Sequence, residues 1–85
     1  MKVIKRDGRA VDYDRNKIVT VIDKANKEVN SSNKVTKEDI IKIVTYIEEL
    51  NKKRILVEDI QDIIEEKLME LKKYELAKKY IVYRY

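Results

Sequence analysis

The sequence contains no cysteine, histidine, proline, tryptophan or phenylalanine, and Gly8 is its one glycine. Without cysteine there is no disulfide and no thiolate metal site. Without histidine the chain also lacks the commonest zinc ligand and the usual general base at neutral pH. The acidic residues nowhere form the spaced loop with a central glycine that marks a calcium site. The composition therefore argues against metal-dependent or triad-type catalysis by this chain.

Long apolar runs are also missing. The sequence predicts no membrane-spanning helix, and its first residues lack the apolar core of a signal peptide. The expected location is the cytoplasm. Of the 85 residues, 44% are hydrophobic and 42% are charged, a balance typical of amphipathic helices rather than of disordered chains. The length predicts a single domain covering residues 1–85.

The charge of the chain is only mildly positive. Twenty basic residues stand against 16 acidic ones, for a net charge of +4, and the two signs are mostly interspersed. A dedicated nucleic-acid-binding protein concentrates its basic residues in one patch or stripe. The distribution therefore favours a small anionic ligand and disfavours nucleic acid.

Asp7 and Gly8 predict a β-hairpin, because an Asp-Gly pair between two β-prone runs is typical of a two-residue turn. The expected pairs are Arg6 with Arg9, Ile4 with Val11, and Lys2 with Tyr13. Alternation then places Ile4, Val11 and Tyr13 on one face, and Val3, Lys5, Ala10 and Asp12 on the other. So small a hairpin must lie on another element to be stable.

Apolar residues recurring at spacings of three and four predict four helices after the hairpin. The first begins at the N-cap Asp14 and runs to about residue 30, the second follows a capping box at 36–39, the third spans about 58–72, and the fourth begins near Tyr74. Their expected buried residues are Ile18, Val21, Ile22, Ala25 and Val29; Ile40, Ile43, Val44, Ile47 and Leu50; Ile60, Ile63, Ile64, Leu68 and Leu71; and Leu76, Ala77, Tyr80 and Ile81.

These elements predict an α+β, mainly α fold, in which a four-helix bundle is capped by a small sheet of two or three strands. The apolar run at 55–57 is the candidate for the third strand. The last helix has no stop signal before Tyr85. We therefore expect the natural chain to continue beyond this residue.

Three basic residues form the candidate binding site. Lys5 and Arg6 precede the hairpin turn, and Lys17 lies in the first turn of the first helix, where backbone N–H groups are unpaired and the helix dipole is positive. Together they suit phosphate, while Val3, Ile18 and Val57 provide walls for a flat base. The alternative is that these cations are ordinary solvated surface charges.

Three segments resemble the ATP-cone, the regulatory nucleotide-binding domain at the N-terminus of many ribonucleotide reductases. They are V-I-K-R-D-G at 3–8, Y-D-R-N-K-I at 13–18 and L-A-K-K-Y-I-V-Y-R at 76–84. The resemblance implies a four-helix bundle capped by a three-stranded sheet. It also implies that ATP and dATP, with Mg²⁺, are competing effectors of a catalytic domain in the same chain. ATP permits deoxyribonucleotide synthesis, and dATP stops it through nucleotide-dependent oligomerisation.

The same resemblance assigns roles to individual residues. Lys5, Arg6 and Lys17 match the family's phosphate-contacting positions, and Val3, Tyr13, Asp14 and Ile18 match positions around the base and sugar. Arg84 matches a position near the nucleotide. Val57 stands where some members have a hydroxyl residue, so any side-chain hydrogen bond made there is absent here.

Other readings remain open from the sequence. A similar cone follows a four-cysteine zinc ribbon in repressors of reductase genes, but this chain has no cysteine. Among reductases the sequence resembles the anaerobic, glycyl-radical class most, which reduces ribonucleoside triphosphates. The leading rival from a different class is a small helical nucleic-acid or protein-interaction module with a basic hairpin on its surface.

Overall fold

Residues 1–84 are described by the structure, a computed structural model, and they form four α-helices and three short β-strands. In chain order these are β1 (Lys2–Ile4), β2 (Ala10–Asp12), α1 (Arg15–Asn26), a 3₁₀ turn (Ser31–Asn33), α2 (Lys37–Glu49), β3 (Arg54–Leu56), α3 (Val57–Glu70) and α4 (Tyr74–Tyr83). The mainly helical α+β class and the third strand are confirmed. The prediction about the chain end falls on Tyr85, outside the described residues.

The hairpin loop is one residue longer than predicted. Lys5 N donates to Arg9 O at 2.8 Å, and Gly8 N donates to Lys5 O at 2.9 Å. Residues 6–8 therefore form a three-residue loop that ends on Gly8 with a φ of +88°. Such a loop combines a tight turn with a left-handed residue, and glycine fits that last position best. The prediction of a two-residue turn is wrong.

The longer loop shifts the strand register by one residue. Val3 lies opposite Val11, and Ile4 lies opposite Ala10. The predicted faces are consequently wrong, because Val3 now shares the inner face with Val11 and is only 8% exposed. Burial explains the choice: this register turns two valines towards the helices, whereas the predicted one turns Val3 away from them.

β1 is the central strand of the sheet. It pairs antiparallel with β2 and parallel with β3, with Val3 opposite Ile55. The third strand lies one residue earlier than the predicted run at 55–57, and Val57 is already the first residue of α3. The sheet therefore leads directly into a helix with no intervening loop.

Local sequence signals set the helix starts. Asp14 Oδ1 accepts a hydrogen bond from Asn16 N at 2.9 Å at the start of α1. Thr36 and Asp39 form the predicted capping box at the start of α2. Both signals are confirmed, because a side-chain oxygen at an N-cap satisfies a backbone N–H that the helix leaves unpaired. The first helix ends at Asn26, four residues before its predicted end.

The hydrophobic core lies between the sheet and the four helices of residues 1–84. Its largest fully buried side chains, all 1% exposed or less, are Ile22, Ile40, Val44, Ile47, Ile64, Leu68 and Leu76. Helix α1 packs against α2 and α4, and α3 packs against the same two helices. The bundle geometry itself stays a prediction. No helix within residues 1–84 combines the length and apolarity needed to cross a membrane.

The prediction of burial is wrong for two residues, Leu71 and Ile81. Leu71 is 40% exposed because α3 ends before it and the chain turns away at Lys72, whose φ is +60°. Ile81 is 37% exposed. It lies beyond the edge of the α4 face on which Leu76 and Tyr80 are buried.

Candidate functional site

A cavity of about 240 Å³ opens between the inner face of the hairpin, the start of α1, and helices α3 and α4. Most of the predicted site residues line it: Val3, Lys5, Tyr13, Asp14, Lys17, Ile18, Val57 and Arg84. The exception is Arg6, which lines an adjoining recess of about 360 Å³. The structure thus brings together residues from both ends of the chain. Their roles in binding stay predictions.

The recess continues the cavity towards the hairpin loop. Four residues line both spaces: Lys5, Val57, Gln61 and Arg84. The loop residues Arg6, Asp7 and Arg9 line only the recess. The deeper cavity has a largely apolar wall, to which Val3, Ile18 and Val57 contribute. A ligand with a flat apolar part and a charged tail would meet suitable surfaces in both spaces.

Lys5 and Lys17 face the cavity without a carboxylate partner. Within residues 1–84 neither ammonium group takes part in an ion pair. Lys17 is also the third residue of α1, in the first turn after the N-cap Asp14. The positive end of the helix dipole and the charge of the lysine therefore act at the same place, and both favour the binding of an anion there.

Arg6 and Arg84 have a different environment from the two lysines. Arg6 Nε lies 3.5 Å from Glu58 Oε1, and the Arg84 guanidinium pairs with the Glu65 carboxylate. Both carboxylates belong to α3. The first pair is largely exposed and the second is mostly shielded from solvent. Among the described residues, the cations at the site are therefore of two kinds: lysines with no ion-pair partner, and arginines already in contact with a carboxylate.

Tyr13 forms one side of the cavity and is anchored outside it. Its hydroxyl donates to Glu48 Oε2 at 2.8 Å, and Arg15 binds both oxygens of the same carboxylate, at 2.9 and 2.6 Å. Burial and the Glu48 contact raise the pKa of Tyr13 above its ordinary value. The Arg15 hydrogen bond lowers the pKa of Glu48. Tyr13 is thus held as a neutral wall residue.

Asp14 reaches the cavity through its position at the start of α1. Its carboxylate accepts the capping hydrogen bond from Asn16, so part of its hydrogen-bonding capacity is already used. A ligand at this place would meet one remaining carboxylate oxygen. The predicted role beside the base or sugar requires that oxygen to accept from the ligand.

Several residues that line the cavity were not predicted from the sequence. They are Val11, Asp12, Val21, Ile60, Gln61 and Tyr80. Gln61 stands out because it is only 8% exposed and lines both the cavity and the recess. Burial, followed by the charge of Glu65, raises the pKa of Tyr80. A polar residue beside the apolar stripe of α3 was the available signal for Gln61.

A largely apolar cavity lined by Lys5 and by Lys17, the latter at the N-terminus of α1, defines a binding domain for a small anionic ligand. The chain belongs to the ATP-cone family, because the family model described as the ATP cone domain matches residues 1–85. The family expected from the three sequence segments is therefore confirmed.

Two relatives are similar to this chain along almost all of its length. The vitamin B12-dependent ribonucleoside-diphosphate reductase of Thermoplasma acidophilum is 37% identical over 89 residues, which cover 98% of this chain and 11% of that protein. The ribonucleoside-diphosphate reductase subunit alpha of Chlamydia trachomatis is 33% identical over 95 residues, which cover 99% of this chain and 9% of that protein. This chain thus spans about a tenth of the length of these relatives. The predicted likeness to the anaerobic class is not confirmed by them.

Proposed function

We propose that this chain is an allosteric regulatory domain that binds ATP or dATP and controls a ribonucleotide reductase. The observation that carries the proposal is the convergence of Lys5, Lys17, Val3 and Ile18, from separate elements, on one cavity. Membership of the ATP-cone family and similarity to two reductases support the same conclusion. The domain itself performs no chemistry in this proposal. It reports the nucleotide supply to a catalytic domain in the same polypeptide.

The two spaces of the site suit the two parts of a nucleoside triphosphate. The adenine would lie in the deeper cavity against Val3, Ile18 and Val57, with Tyr13 at one side. The triphosphate would extend from the cavity towards the recess, past Lys17, which lines the cavity, and Lys5, which lines both spaces. Both ammonium groups would act as point charges. A base-sized apolar cavity beside a cationic recess is hard to explain as general surface charge, so the arrangement favours the nucleotide over the rival module.

Magnesium fits this proposal as a companion of the nucleotide. Within residues 1–84 no group of three or more acidic side chains is placed to hold a metal ion. Magnesium is often bound through substrate phosphates and water rather than in an all-protein cage. Any Mg²⁺ would therefore enter on the triphosphate oxygens. Nucleotide affinity in the presence and absence of Mg²⁺ tests this.

Discrimination between ATP and dATP must come from more than direct binding. The two differ by one 2′-hydroxyl, and one net hydrogen bond contributes about 0.5 to 1.5 kcal/mol. To shift a two-state equilibrium from almost all of one state to almost all of the other, a ligand must bind the favoured state more tightly by about 5.5 kcal/mol. We therefore propose that subunits act together, so that the effect of each nucleotide is multiplied in an oligomer. The exposed faces of α3 and α4, including Lys78 and Lys79, are the proposed contact surface.

Calorimetric titration of the 85-residue chain with ATP, dATP and duplex DNA tests the binding function. We expect saturable binding of both nucleotides, with affinities that differ only modestly. Absence of saturable nucleotide binding, together with DNA binding that falls steeply with salt, would instead support the rival module. Sedimentation of the full-length protein with each nucleotide then tests the oligomer. The same assembly state with saturating ATP and dATP would contradict it.

A further inference from the structure

Helix α3 presents a polar stripe to the recess. Glu58, Gln61 and Glu65 follow one another at spacings of three and four residues, so they lie on one face of the helix. Gln61 lines both the cavity and the recess, which shows that this face points to the site. The two glutamates lie on either side of Gln61 along the helix.

Each glutamate of this stripe contacts an arginine that lines the recess. Glu58 Oε1 lies 3.5 Å from Arg6 Nε, and Glu65 pairs with the Arg84 guanidinium. Within residues 1–84 the ammonium groups of Lys5 and Lys17, which line the cavity, have no such carboxylate partner. Glu58 and Glu65 are therefore each paired with an arginine of the recess and not with Lys5 or Lys17.

We propose, building on the nucleotide function above, that Glu58 and Glu65 are built-in competitors of the triphosphate. A guanidinium binds a carboxylate and a phosphate through the same N–H donors. In the unliganded domain Glu65 accepts a hydrogen bond from Arg84, and Glu58 lies within ion-pair distance of Arg6. Each glutamate therefore neutralises a guanidinium charge that phosphate oxygens would otherwise meet. Binding of a triphosphate exchanges these carboxylates for phosphates, and α3 loses its ion pairs with the hairpin loop and with the end of α4.

The two pairs differ in how strongly they oppose binding. The side chains of Arg84 and Glu65 are 17% and 21% exposed, whereas those of Arg6 and Glu58 are 50% and 61% exposed. Water and salt weaken exposed ion pairs, which contribute little free energy. Glu65 is therefore the main competitor. A ligand with several negative charges displaces it more readily than one with a single charge.

Selective removal of each charge tests the proposal. We expect Glu65→Gln to bind ATP and inorganic tripolyphosphate about five- to tenfold more tightly, and Glu58→Gln about two- to fivefold more tightly, because a broken ion pair no longer opposes binding. Adenosine affinity should not change, since adenosine carries no phosphate. Glu75→Gln is the matched control, because Glu75 pairs with Lys78 on α4 and lines neither the cavity nor the recess.

A double-mutant cycle separates competition from a general change in charge. In an Arg84→Ala background, Glu65→Gln should no longer tighten tripolyphosphate binding. If the Arg84 variant does not fold, the exposed Arg6 and Glu58 pair provides the same cycle. Unchanged or weaker binding by both glutamine variants would overturn the proposal while leaving nucleotide binding intact. No tripolyphosphate or ATP binding by the wild-type chain would overturn both.

Discussion

The Tyr13 hydroxyl donates a hydrogen bond to Glu48 across 35 positions of sequence. Tyr13 belongs to the cavity wall, and Glu48 lies in the last turn of α2. Arg15 holds the same carboxylate through two further hydrogen bonds. The shape of the cavity beside α1 is therefore linked to α2, a helix that contributes no residue to the cavity wall.

Tyr13→Phe removes this hydroxyl and keeps the ring. We expect a loss of about 0.5 to 1.5 kcal/mol in the free energy of unfolding, the usual net contribution of one hydrogen bond. Adenosine and ATP should bind more weakly because the wall is less fixed, while tripolyphosphate affinity should stay constant. Urea unfolding and calorimetry measure these effects. Tyr74→Phe, at a side chain 52% exposed, is the control, and equal stability of the two variants would contradict the anchoring role.

Glu48 also predicts a pH dependence of stability. Its pKa is lowered from an ordinary value of 4.5, chiefly by the Arg15 hydrogen bond. A lowered pKa in the folded state stabilises the protein above the unfolded-state pKa, and this contribution disappears as pH falls through the folded-state pKa. The stability difference between wild type and Glu48→Gln should therefore shrink below about pH 4.5. Urea unfolding at pH 6, 4 and 3 measures it, with the exposed Glu49→Gln as control.

Lys5→Ala and Lys17→Ala should each weaken ATP binding by about 1.5 to 3 kcal/mol, the range for hydrogen bonds to charged groups. Because neither ammonium group has an ion-pair partner within residues 1–84, the melting temperature of the unliganded domain should change little. Calorimetry and thermal unfolding give the two readouts. Lys52→Ala, at an exposed residue that lines neither space, is the matched control. Unaltered affinity in both test variants would remove the phosphate assignment.

Local signals were sufficient to predict much of this fold. Asp14 and the capping box at Thr36 specify helix starts through hydrogen bonds within a few residues, so sequence alone identifies them. The hairpin register was not predictable in the same way. An Asp-Gly pair fits a two-residue or a three-residue loop, and burial of Val3, beside Ile55 of β3 and against the helices, selects the longer one.

In the candidate site, too, the residues with local sequence signals were predicted and those that depend on distant contacts were not. Lys5 and Lys17 were predicted because a hairpin turn and a helix start are both visible in the sequence. Glu48 and Glu65 were missed because their partners, Tyr13 and Arg84, lie 35 and 19 positions away. Contacts of that kind depend on how helices pack, and no local pattern records them.

Gly8→Val should destabilise the domain by about 1 to 2 kcal/mol. A Cβ atom at Gly8 would meet no atom within 4 Å apart from its neighbours in the chain. The loss of stability therefore comes from the φ of +88° and not from a clash. Gly8→Asn should lose less, because asparagine tolerates left-handed backbone better than a β-branched residue does. Thermal unfolding compares the two variants. Equal melting temperatures for Val and Asn would mean that backbone strain does not govern this position.

Gln61→Leu should separate binding from stability. Gln61 is only 8% exposed, and within residues 1–84 no other residue hydrogen-bonds to its side-chain amide. An apolar side chain of similar size should therefore keep or raise the melting temperature. ATP affinity should fall severalfold if the amide contacts the ligand. Gln61→Asn, which keeps the amide on a shorter side chain, tests whether its reach matters. Unchanged ATP affinity in Gln61→Leu would exclude Gln61 from ligand contact.

The parallel pairing of β1 with β3 sets the order in which this domain can assemble. The hairpin needs only neighbouring residues, but the sheet is complete only when β1 meets a strand that follows α1 and α2 in the chain. Closing so large a loop costs conformational entropy before any stabilising contact between the two strands can form. Val3 and Val57, on opposite sides of that loop, both line the cavity. During synthesis the cavity therefore cannot form together with the hairpin and requires α3 and α4, so a chain that ends after α2 lacks part of the ligand site.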